Sequence, residues 1–210
     1  PVGNPRVVGV DMNANSLRDS EYGVNGRFCP VQAKVDALPF RDGCIDGILS
    51  SHVLEHLLVD KDRGVNEGQE ALNEAGRVLR KDGKAYIAVP HPRHEMVIGK
   101  LVEGYHSSRM HQRVFSPNEI EQCVENAGFD IERISSRGWW GAIGFVGLAL
   151  INRMFSNGKF VDHQGLIVDD VGSNIIRKAY RAVGEVVEDK LKFMNRIFPQ
   201  ETFIEARKQG

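Results

Sequence analysis

Histidines and carboxylates carry the chemistry in this 210-residue chain, and they sit beside apolar runs short enough to be strands. The string His52-Val53-Leu54-Glu55-His56 fits H-x-x-E-H, a pattern of some zinc proteases, in which two histidines four apart on a helix share a metal. The pattern is short and the sequence places no third ligand, so no metal is expected. His91 and His94 follow a strand-like run, within Pro90-His91-Pro92-Arg93-His94. Histidine is easily poised near neutral pH, so either one is suited to take a proton from a hydroxyl; the other reading is a surface loop. His106, Arg109, His111 and Arg113 make 104–114 basic, which suits an anionic ligand or, equally, a solvated loop. Asp11 ends the apolar run Arg6–Val10. A carboxylate only accepts hydrogen bonds and can take both protons of a diol; a turn aspartate before Asn13 is the alternative. Asp36 heads Asp-Ala-Leu-Pro-Phe, where it is an acceptor flanked by the apolar Ala37 and Leu38, or a turn aspartate before proline.

Positioning these residues takes strands and helices in a definite order. Ile45–Ser50 has the length and apolar content of a buried strand and stops at Ser50 and Ser51, small residues that let a ligand approach. Across 65–79 the apolar residues Ala71, Leu72, Ala75, Val78 and Leu79 have helical spacing. Arg77, Arg80 and Lys81 complement the dipole at its end, and Gly83 supplies a stop. Lys84–Val89 is a second strand. Strand, helix and strand of this length make a parallel crossover, and ligands bind beyond the carboxyl ends of such strands. Ser50, Ser51, His52, Pro90 and His91 therefore share one rim. Phe28–Val35 is an edge strand, because Pro30 interrupts it. Ser116-Pro117-Asn118-Glu119 starts a helix with a capping box and proline at its first position. Ile120, Cys123, Val124 and Ala127 form its buried stripe. Phe129–Ile134 is a strand, 169–195 a long helix, and Thr202–Ala206 a closing strand.

Four strings, in order and spacing, carry a resemblance: Val7–Asp11, Asp36–Phe40, Ile45–His56 and Arg77–Gly83. Together they resemble the class I S-adenosylmethionine-dependent methyltransferases, over most of the chain. The resemblance implies a Rossmann-like α/β three-layer sandwich, with a mostly parallel sheet and a C-terminal antiparallel strand pair made by Phe129–Ile134 and Thr202–Ala206. It implies S-adenosylmethionine as cofactor, held by Asp11 and Met12 at the ribose and by Asp36, Ala37 and Leu38 at the adenine, with Ser50 and Ser51 beside it. His52, His91 and His111 become candidates to line the acceptor side, and His56 packs below the cofactor or fills its short helix. The family's glycine loop and first central strand are not found upstream of Val7, so the chain is expected to be cut just downstream of that loop. The neighbouring strand edges would then lose a partner.

The chain is expected to be one domain, with a cofactor core over 1–135, an insert and long helix over 136–200, and a closing strand and tail over 201–210. The net charge of −1 gives no field to recruit nucleic acid or an anionic membrane. Three scattered cysteines, Cys29, Cys44 and Cys123, form no C-x-x-C pair, and no signal peptide opens the chain, which suits a reducing cytoplasm. Trp139 to Ile151 holds no charge and is shorter than the roughly 20 residues that cross a bilayer. It reads as a buried helix, as cover for an apolar acceptor, or as a weak membrane-surface contact through its paired tryptophans. The expected reaction is methyl transfer to a small-molecule, sugar or lipid-like acceptor. A non-catalytic binding or scaffold protein on the same fold stays open. A nicotinamide-dependent oxidoreductase is opposed by the lack of a Tyr-x-x-x-Lys pair.

Overall fold

The computed structural model describes residues 6–20, 28–60, 65–101, 111–139, 191–197 and 199–210. The crossover unit forms as its periodicity predicts. Strand β3 (Ile45–Ser51) runs parallel to β6 (Leu79–Pro90), with Gly47 opposite Lys84 and Ser51 opposite Ala88. Helix α2 (Glu67–Val78) connects them and buries Ala71, Leu72 and Val78. It starts two residues later than the apolar pattern suggests. Val65–Asn66 (β5) first pairs antiparallel with Val59–Asp60 (β4), and the Asn66 side chain then caps the helix by accepting the Gln69 amide at 3.3 Å.

The end of α2 corrects a sequence expectation. Gly83 does not stop the helix, which already ends at Val78 and passes straight into the twelve-residue β6. The register slips there: Ile45 faces Leu79, but Gly47 faces Lys84. A bulge absorbs the difference, with Asp82 at φ 61°. A Cβ on Gly83 would lie 2.8 Å from the Arg80 carbonyl oxygen and 2.9 Å from Leu79 Cδ2. Glycine is present because the bulge folds back onto this position, not because a helix needs terminating.

Strand β8 (Glu201–Lys208) lies antiparallel between β6 and β7 (Phe129–Arg137), giving the order β3-β6-β8-β7. Ile131 faces Ala206 and Ile134 faces Ile204, so the expected antiparallel pair is present. Helix α4 (Pro117–Asn126) precedes β7 with both halves of its capping box made: the Glu119 amide donates to Ser116 Oγ at 3.2 Å, and the Ser116 amide to Glu119 Oε2 at 3.4 Å. Leu72, Leu79, Ile87, Phe115, Val124 and Ile204 anchor the core between the helices and the sheet. Helix α3 (Pro92–Leu101) follows β6 directly.

Strand β1 (Val7–Asp11) leads through α1 (Ala14–Ser20) to β2 (Phe28–Gln32), which pairs with it in parallel, Val7 with Phe28 and Asp11 with Gln32. Pro30 lies on β2, which has β1 as its one paired neighbour among the described residues, as an edge position requires. No ladder joins β1 to β3 among the described residues. The sheet is in two pieces, and the split falls where the sequence reading puts an absent central strand. Leu49, in the middle of β3, is 71% exposed.

Of the apolar insert, only Trp139 is described. It is buried, and its amide donates to the Asn195 side chain at 3.1 Å. The rest of 139–151, most of the expected helix over 169–195, and His106 and Arg109 lie outside the described residues. At the end of that expected helix, Lys192–Arg196 forms a 3-10 turn instead. No helix among the described residues is long and apolar enough to cross a membrane.

Candidate functional site

The predicted residues fall at the carboxyl ends of β1, β3 and β6 and in the loop after β2, with β1–β2 and β3–β6 in separate sheets among the described residues. Asp11 closes β1, and its Oδ1 accepts the Asn13 amide at 2.7 Å, which leaves its other oxygen for a further donor. Met12, beside it, is exposed, and its carbonyl accepts from the Gln32 side chain at 2.9 Å. Asp36 lies on the next loop. Its Oδ2 pairs with Lys34 Nζ at 3.0 Å, whereas Oδ1 is buried without a hydrogen-bond partner among the described residues. A buried carboxylate oxygen without a donor is costly, so a donor from a ligand fits this atom.

The Asp36 loop is held by Glu74, which the sequence reading did not assign, and by Arg77, to which it gave only a place at the helix dipole. Glu74 Oε1 accepts the Leu38 amide at 2.7 Å. Arg77 donates to the Leu38 carbonyl at 3.1 Å, the Phe40 carbonyl at 2.9 Å and Asp42 Oδ1 at 2.6 Å, and it grips both Glu74 oxygens at 2.7 Å. Arg77 therefore does more than complement the helix dipole. Its bond to Glu74 pulls the Glu74 carboxyl below its ordinary range, and Glu74, then Asp42, hold the guanidinium charged. The i, i+3 spacing of the pair was visible, but its loop partners were not.

Beyond β3, Ser50 is half-buried, Ser51 exposed, and His52 takes a left-handed φ of 54°. Such a backbone is unfavourable for a residue with a Cβ and occurs where the surroundings enforce it; here the His52 amide donates to the Ala88 carbonyl at 3.0 Å. The ring lies between Glu201 Oε2 at 3.2 Å and Glu55 Oε1 at 3.1 Å. Those two carboxylates, Glu201 foremost, push its pKa up to about 10. Held between two carboxylates, the His52 ring is disposed to keep its proton near neutral pH. His91 is the opposite case: burial first, then Arg93 and His94, push its pKa down. Its Nδ1 accepts the Arg93 amide at 3.2 Å, which places the proton of the neutral ring on Nε2. Burial lowers His94 likewise.

His111 is not on an open basic loop. The amides of Gln112 and Arg113 both donate to the Glu55 carbonyl, at 2.7 and 3.1 Å, and draw this segment onto the 3-10 turn Leu54–His56. His111 Nδ1 meets Glu95 Oε2 at 2.8 Å, and its ring stands edge-on to that of His56 at 5.1 Å. Arg113 is bonded to Glu119 and Asn66 and covers the Phe115 ring, so it is committed to structure. Ligand atoms of Glu55, His56 and His111 lie within 4.8 Å of one another. The third member of that group is what the sequence could not place.

Residues 2–87 match the methyltransferase domain family. No curated protein matches the chain. Solved structures similar to it include an S-adenosylmethionine-dependent methyltransferase from Archaeoglobus fulgidus, at 19% identity and TM-score 0.53, over 96% of this chain and 75% of that one. Geranyl diphosphate methyltransferase, solved with geranyl diphosphate and sinefungin, is similar at 15% identity and TM-score 0.53, over 97% of this chain and 62% of its own. The cyclase SpnF is similar at 17% identity and TM-score 0.56, over 97% of this chain and 66% of that one. The chain thus spans about two thirds of the length of such neighbours, and one of them runs a different reaction on the same fold. The match over residues 2–87, the parallel crossover and the β8–β7 pair agree on one point: the chain has the α/β fold of these solved structures.

Proposed function

We propose that this chain transfers the methyl group of S-adenosylmethionine to a small-molecule, sugar or lipid-like acceptor, by in-line displacement at the sulfonium methyl. The observation that supports the reading is Asp36 Oδ1, a buried acceptor without a hydrogen-bond partner among the described residues, in a loop that Glu74 holds through the Leu38 amide. In this reading Asp36 accepts the adenine amino group, with Ala37 and Leu38 against the ring. Asp11 accepts the ribose hydroxyls beside Met12, and Ser50 and Ser51 give the cofactor room above β3. The cofactor, when bound, supplies an activated methyl on a positive sulfur. The chain's part is to bind, align and exclude water, and alignment alone is worth roughly 7–11 kcal/mol of barrier. His91 is the histidine whose neutral state suits a proton acceptor on the acceptor side.

Calorimetry with S-adenosylhomocysteine and with NADH tests this. Stoichiometric binding of the first only, weakened about tenfold or more by Asp36→Ala, is the expected result, since hydrogen bonds to a charged group are worth about 1.5–3 kcal/mol. Binding of neither ligand would favour a scaffold role, for which the break between β1 and β3 is the supporting observation. Unchanged affinity in Asp36→Ala would remove the adenine assignment.

A further inference from the structure

Below the rim, three side chains from two distant segments meet. Glu55 and His56 come from the turn after β3, and His111 from the segment entering α4. We propose that Glu55, His56 and His111 form a binding site for a divalent transition-metal ion of the zinc type.

Imidazole nitrogen and carboxylate oxygen are the donors that zinc and its neighbours prefer, and here two of the first join one of the second. Glu55 is the strongest independent sign. It is fully buried, and its Oε2 has no hydrogen-bond partner among the described residues. Its Oε1 is engaged by His52 at 3.1 Å and lies 4.0 Å from His56 Nε2, so an ion held here would draw on the orphan oxygen of the same carboxylate. Glu95 supplies the outer support that metal-binding histidines have. Its buried carboxylate holds His111 Nδ1 at 2.8 Å, which fixes the tautomer and presents Nε2 as the donor. The atoms lie within 4.8 Å of one another. In a tetrahedral zinc site they would stand about 3.4 Å apart. His56, the half-exposed member, closes that gap by side-chain rotation, and its exposed face is the way in. Three protein ligands leave a fourth position for water. The ion would staple the turn after β3 to the start of α4, which the Gln112 and Arg113 amides already hold together.

The test is zinc titration of the metal-stripped protein against a chromophoric chelator. One zinc per chain is expected. His56→Ala, which empties no core space, and His111→Ala should each weaken binding at least about 100-fold, and Glu95→Gln about tenfold, as loss of an outer partner does. Cobalt loading should give a visible absorption band in the native protein that is lost in His56→Ala. Zinc should raise the melting temperature of the native chain and not that of His56→Ala. No stoichiometric binding, or binding that His56→Ala and His111→Ala leave intact, would overturn the assignment. If Glu55→Gln does not fold, the two histidine variants decide.

Discussion

Replacing Glu74 by alanine tests how far the α2 clamp prepares the cofactor loop. Two effects are lost together. The Leu38 amide loses a carboxylate acceptor at 2.7 Å, and Arg77 loses the partner that orients it toward the Leu38 and Phe40 carbonyls. The first is a part-buried bond to a charged acceptor, worth about 1.5–3 kcal/mol. The Arg77 ion pair faces solvent, is screened, and is not counted. The loop around Asp36 thus loses about 2 kcal/mol of order, which at 1.4 kcal/mol per decade is up to about 30-fold in S-adenosylhomocysteine affinity if the cofactor needs the loop as described. Glu74→Gln keeps an oxygen for the Leu38 amide but not the charge, and should fall between, at roughly three- to tenfold. Calorimetry reads the affinity, and amide exchange at Leu38 and Phe40 reads the loop. The pH dependence has a definite sign. Arg77 lowers the folded pKa of Glu74 below its ordinary 4.5. Its contribution is complete above that value and is lost only as the pH falls through the lowered folded pKa. Affinity should not drop from this group between neutrality and mild acid. Faster exchange at Leu38 with affinity within twofold of native would refute the coupling between clamp and binding.

Gly83→Ala should lower the melting temperature by several degrees, since overpacking costs about 1–3 kcal/mol and the atom met at 2.8 Å is backbone. Gly47→Ala, whose nearest atom is at an ordinary 3.5 Å, should be near neutral in the same melt; equal effects would contradict the bulge reading. Ser116→Ala removes one half of the capping box and should cost about 1 kcal/mol in urea unfolding with an unchanged slope.

Local signals and spacing made much of this fold legible. The Ser116 cap, the stripe of α4 and the β3–α2–β6 crossover follow from neighbours a few residues apart, and each formed, with the bounds of α2 and β6 moved. The rim followed from topology: once β3 and β6 were parallel, Ser50, Ser51, His52 and His91 had to lie at one end. Contacts made across the fold were not legible. Nothing near His111 in sequence announces Glu95 or the turn carrying His56, and nothing near His52 announces Glu201. Those partners decide whether a histidine is a base, a cation or a ligand. Gly83 misled for a related reason: a glycine after a helical pattern reads as a stop, and only the slip opposite Ile45 reveals a bulge.

The placement of β8 bears on how the chain assembles. Among the described residues no ladder joins β6 to β7; each is hydrogen-bonded to the strand spelled by residues 201–208. This strand follows both neighbours along the chain, and until it is made the two strands it joins have raw flanks and no common sheet. Deleting residues 201–208 would not trim a tail but withdraw the keystone.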